Sequence, residues 1–165
     1  MTRILEALLI ELDNRKISTW LKRECIAGYQ TSIRTLEKVL SDALGNRART
    51  DKFIYSLVSV LPKVAAIDIL AAERVVRLTV RAIDPKEVDA KRRLSEALML
   101  SLKELAEINL QVTRTTAREA ASLVMGDAVG SACYIFSAKE LLSSSERLDE
   151  FTRNIVLSCI DAVKL

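Results

Sequence analysis

Residues 84–126, DPKEVDAKRRLSEALMLSLKELAEINLQVTRTTAREAASLVMG, form the longest uninterrupted helical pattern in the chain. Asp84 at the cap, Pro85 at the first helical position and Glu87 two residues on make a start signal. The Asp oxygen can accept from orphan N–H groups, Pro lacks the N–H that would go unpaired, and Glu suits the positive helix end. Leu94, Leu98, Leu102, Leu105, Ile108 and Val112 step by three or four residues along one face, and Gly126 supplies a stop. A straight helix of that length would be roughly 60 Å long at about 1.5 Å per residue. A compact chain of this size is only about 40 Å across. The helix must break or project into a partner. The expected break lies between Asn109 and Thr116, where Val112, Thr113, Thr115 and Thr116 are β-branched and poor helix formers.

Composition agrees with helices throughout. Half of the 165 residues are apolar but only 4% are aromatic, so the core is aliphatic, and four Gly and two Pro leave little turn chemistry for strands. The expected fold is all-α: a single-domain, multi-helical bundle over residues 1–165 with a long, kinked central helix. The net charge of +3 is spread along the chain, which argues against a dedicated nucleic-acid or membrane surface. There is no histidine, which excludes His-based metal sites and His general acid–base machinery. Cys25, Cys133 and Cys159 are not spaced as metal ligands; they are expected to be buried, reduced thiols, and no metal is expected. Two Gln and four Asn among many charged and aliphatic residues point to a thermophilic source.

No secretory leader is visible at the start, and Lys63, Asp68 and Pro62 interrupt the apolar run Phe53 to Ala72, so a cytoplasmic protein without a membrane span is expected. The pattern predicts helices over Thr2–Asp13, from Ser18 to Leu44, from Thr50 or Asp51 to Val60, and from Pro62 to about Ile83. Further helices are expected over about Ser131–Leu142 and after a Ser143/Glu146 capping box, the last one burying Leu148, Phe151, Ile155, Cys159 or Leu157, and Val163.

Three features could carry function. Arg74, Arg77 and Arg81 share a helical face and either hold an anionic ligand through their guanidinium forks or form a wet face paired with Glu73, Glu87 or Asp89. Gly126-Asp127-Ala128-Val129-Gly130-Ser131-Ala132 can present N–H groups to an anion or make a tight junction between helices. Arg47, Arg49 and Lys52, with Lys91-Arg92-Arg93, are basic clusters for which nucleic-acid contact is the minor alternative to a solvated surface.

From Ile67 onward, the order of signals resembles the formiminotransferase-cyclodeaminase C-terminal family, which includes methenyltetrahydrofolate cyclohydrolases. The resemblance runs through Ala72-Glu73-Arg74-Val75, Ile83-Asp84-Pro85-Lys86-Glu87, Ala106-Glu107-Ile108-Asn109-Leu110, Gly126-Asp127-Ala128-Val129-Gly130-Ser131 and Leu148-Asp149-Glu150-Phe151. The family's Pro-Gly-Gly-Gly-Ser loop has no counterpart, since the region around Ala27-Gly28-Tyr29 keeps one glycine, and a degenerate member is one outcome. The resemblance implies a homodimer acting on a tetrahydrofolate derivative as substrate. It makes Asp127 the candidate proton-moving residue, beside Gly126 and Gly130, with Arg74, Arg77 or Lys86 holding the anionic glutamyl tail. The competing expectation is a non-catalytic helical protein that binds or scaffolds other proteins.

Overall fold

The computed structural model describes residues 61–66 and 68–164, which contain six helical segments and no strand. The helices expected within residues 1–60, with Cys25, Gly28, Arg47, Arg49 and Lys52, lie outside the described residues. After the helical residues 61–66 come α1 (Ile69–Ala82), α2 (Val88–Ile108), α3 (Leu110–Val124), α4 (Ala128–Ser144) and α5 (Glu150–Val163). Among the described residues, no helix is long and apolar enough to cross a membrane.

The expected break in the long stretch is present, and it is sharper than a kink. A single residue, Asn109, separates α2 from α3 in an extended conformation (φ −158°, ψ 114°). Its side-chain oxygen accepts from the N–H groups of Gln111 and Val112, at 2.9 and 3.1 Å, and so caps α3. Its own N–H closes α2 on the Leu105 carbonyl at 2.7 Å. The chain then doubles back: Ser95 Oγ donates to the Ala120 carbonyl at 2.9 Å, and Arg92 meets Asp127. The two helices form an antiparallel hairpin, and their combined length no longer calls for a partner.

The expected apolar line is the seam of that hairpin. Leu94, Leu98, Leu102, Leu105 and Val112 are fully buried, while Ile108, at the tip, stays 37% exposed. α3 packs against α1, α2, α4 and α5. It can do so because most of its buried side chains are small: Thr113, Thr115, Thr116, Ala117, Ala120 and Ala121 let its neighbours approach closely. Close approach also lets Tyr134 of α4 donate its hydroxyl to the Ala117 carbonyl at 3.0 Å.

Four expected boundaries move, each because a polar side chain takes a different local partner. The helix expected from Pro62 to Ile83 is interrupted at Asp68, which turns extended and caps α1 by accepting from the Ala71 N–H at 3.0 Å. Asp84 does not cap α2; it accepts from the Lys86 N–H at 2.9 Å in a tight turn, and α2 starts only at Val88. α4 begins at Ala128 and continues through Ser144, so Ser143 bonds back to the Glu140 carbonyl instead of opening a capping box. The last helix is capped by Asp149, which accepts from the Thr152 N–H at 2.7 Å.

Arg153 ties α5 to the end of α4, where carbonyls lack helical partners. Its guanidinium donates to the carbonyls of Leu142 (2.9 Å), Ser145 (2.8 Å) and Leu148 (3.1 Å). Leu148, Ile155, Cys159 and Val163 are buried as expected, but Phe151 is 61% exposed and Leu157 is also exposed. Phe151 instead lies under the Arg114 guanidinium, 5.1 Å from the ring centre.

Removing the cap at the hairpin tip should be costly. Asn109→Ala is expected to lower stability by about 1 kcal/mol in urea denaturation, and Asn109→Asp to retain most of it, because the carboxylate can still accept from the same N–H groups.

Candidate functional site

The Gly126–Ser131 segment folds as a compact junction between α3 and α4. Gly126 sits in the left-handed region (φ 78°), which lets the chain leave α3 and turn at once. Asp127 follows at the cap position of α4, but its carboxylate makes no side-chain capping bond there. It is turned to Arg92 of α2, which grips it with a two-pronged fork: Nε to Oδ2 at 2.5 Å and Nη2 to Oδ1 at 2.6 Å.

Gly130 lies directly beneath this pair. A Cβ there would fall 2.7 Å from Asp127 Oδ2 and 2.7 Å from Val124 Cγ1. The glycine is required by close approach, and the Ser131 hydroxyl completes the joint by donating to the Val124 carbonyl at 3.0 Å.

The electrostatics follow from this geometry. The hydrogen bonds from Arg92 hold the Asp127 carboxyl below the usual carboxylate range; burial opposes that shift, while the nearby Gly130 and Val129 amides assist it. The same contact raises the Arg92 guanidinium above its ordinary value. The pair is therefore a fixed ion pair near neutral pH. A general acid would need the opposite shift. Tyr134 is not a proton carrier at neutral pH either, since burial pushes its phenol up.

Arg92, Ser95, Glu96, Gly130, Cys133 and Tyr134 are among the residues lining a cleft of about 40 Å³ between α2 and α4. That volume holds a few water molecules. Of the residues singled out from sequence, Arg92, Gly130 and Cys133 line it; Arg74, Arg77, Lys86, Gly126 and Asp127 do not. Asp127, Gly126 and Gly130 are brought together at the junction. Arg74 and Arg77 lie on the exposed side of α1, which packs on α3, with Arg77 3.8 Å from Glu119. Lys86 is exposed in the turn before α2. Glu73, considered above as a surface partner for the arginines, is instead buried, accepting from Thr115 Oγ1 at 2.5 Å and Gln111 Nε2 at 3.3 Å.

The Lys91-Arg92-Arg93 cluster is divided, because Arg92 is committed to Asp127 and Arg93 Nε donates to the Asp89 carbonyl at 3.3 Å. The partnership of Arg92 and Asp127 was not visible in the sequence. Its signal was the pivot at Asn109, which places residues 17 before and 18 after it side by side. Cys159 is buried as expected, but Cys133 is exposed. Among the described residues, no three Cys, Asp or Glu side chains gather as a metal ion would need.

A second feature is a surface rather than a cavity. On α4, Val129, Ala132, Cys133 and Phe136 all face solvent, Val129 at 58% and Phe136 at 72% exposure. Their spacing of three, four and seven residues makes one continuous apolar line. The outward faces of α1 and α2 are mixed, with Arg74, Arg77 and Arg81 beside exposed Leu70 on one, and Glu96, Lys103, Glu104 and Glu107 around exposed Leu100 on the other.

Compared with protein-family models, with curated proteins and with solved structures, the chain matches none.

Two substitutions test the junction. Gly130→Ala is expected to cost about 1–3 kcal/mol by overpacking against Asp127 and Val124, measured by denaturation. A carboxylate with a lowered folded-state value contributes stability that is whole above its unfolded value of about 3.9 and is lost as pH falls through the folded value. Asp127→Asn should therefore make the decline of stability below about pH 4 shallower. Part of the decline should survive through Asp149, whose carboxyl is lowered by its hydrogen bonds from Thr152. An unchanged acid profile would show that the ion pair does not persist in solution.

Proposed function

We propose that this chain is a helical protein-interaction subunit whose docking surface is the outward face of α4. The observation that carries the reading is the exposed line Val129, Ala132, Cys133 and Phe136. An amphipathic helix normally turns such a line inward; a rigid apolar helix face is what another helix can pack against. The Arg92–Asp127 pair and Gly130 lock α4 onto the α2–α3 hairpin, so the face is presented in a fixed orientation. The competing reading is a one-carbon folate enzyme, with Asp127 moving a proton and Arg74, Arg77 or Lys86 holding the glutamyl tail of a tetrahydrofolate. It rests on the order of motifs, and the forked contact with Arg92 gives Asp127 a structural role that the interaction reading uses directly.

One pair of measurements separates them. At sub-micromolar concentration the native chain should enhance anilinonaphthalene sulfonate fluorescence. Phe136→Glu should remove most of that enhancement while leaving the circular dichroism spectrum unchanged, since so exposed a site has little effect on stability. Saturating 5,10-methenyltetrahydrofolate should leave the Tm where it is. Equal dye signals from wild type and variant would overturn the interaction surface. A Tm raised by the folate, as binding to the native state requires, would instead favour the enzyme.

A further inference from the structure

We draw no further inference here: the strongest candidate, the apolar surface patch formed by the outer line of α4 and exposed Leu100 of the neighbouring α2, belongs to the site already described, and its rim mixes Glu96 and Glu140 with Lys103 and Lys139, so that nothing in the structure shows what covers it.

Discussion

Everything in the described structure depends on the chain reversing at one residue. Asn109 interrupts what would otherwise be an overlong helix, and its side chain does for α3 what no neighbouring residue could, accepting from two N–H groups left orphaned at the helix start. Once the reversal is made, the partners of α2 are fixed by distance from the pivot: Ser95 meets Ala120, and Arg92 meets Asp127. The hairpin is therefore fastened at its closed end by a cap and at its open end by an ion pair. The cap contributes stability. The ion pair, partly open to water on the arginine side, contributes mainly register, since pairs of this kind are worth little on their own. Its geometry matters more than its energy, because it also fixes where α4 begins.

The composition of α3 shows packing overriding propensity. Four β-branched residues between Val112 and Thr116 suggested a weak helix, yet the helix passes through them intact. In a helix surrounded on several sides, stability comes from tertiary contact more than from propensity, and small side chains earn that position. The hydroxyls are accommodated locally: Thr113 bonds the Asn109 carbonyl at 2.9 Å, and Thr115 bonds the buried Glu73 carboxylate of α1. Ala120, with no side chain beyond Cβ, leaves its carbonyl open to Ser95. Larger residues would separate the neighbours from α3 and strand these polar groups.

Periodicity made the helical class and the inner face of α2 legible, because burial of Leu94, Leu98, Leu102 and Leu105 obeys a one-dimensional rule. The break was legible to within a few residues and the stop at Gly126 closely, since only glycine takes that positive φ without strain. What escaped was competition among local acceptors. Asp68, Asp84 and Asp149 are alike as cap candidates, but one opens α1, one makes a turn ahead of α2, and one displaces Ser143 as the cap of α5. The pairing of Arg92 with Asp127 escaped for a different reason: it is set by tertiary geometry, so a basic triplet and a glycine-flanked acid looked like two unrelated sites. The cyclodeaminase-like order of motifs drew on the same short phrases, several of which turn out to be caps and junctions that any helical bundle needs.

That distinction bears on what α4 is for. Its inner side is determined by the junction: Gly130 makes room for the ion pair, Ser131 holds the end of α3, and Tyr134 reaches the backbone of α3. None of these demands constrains the outer side, where charged residues would be the inexpensive choice for a helix facing water. Val129, Cys133 and Phe136 stand there instead, on a helix whose position Arg92 and Asp127 have already fixed. An apolar line that internal packing does not require, held on a rigid support, is the arrangement expected where a surface is meant to be covered.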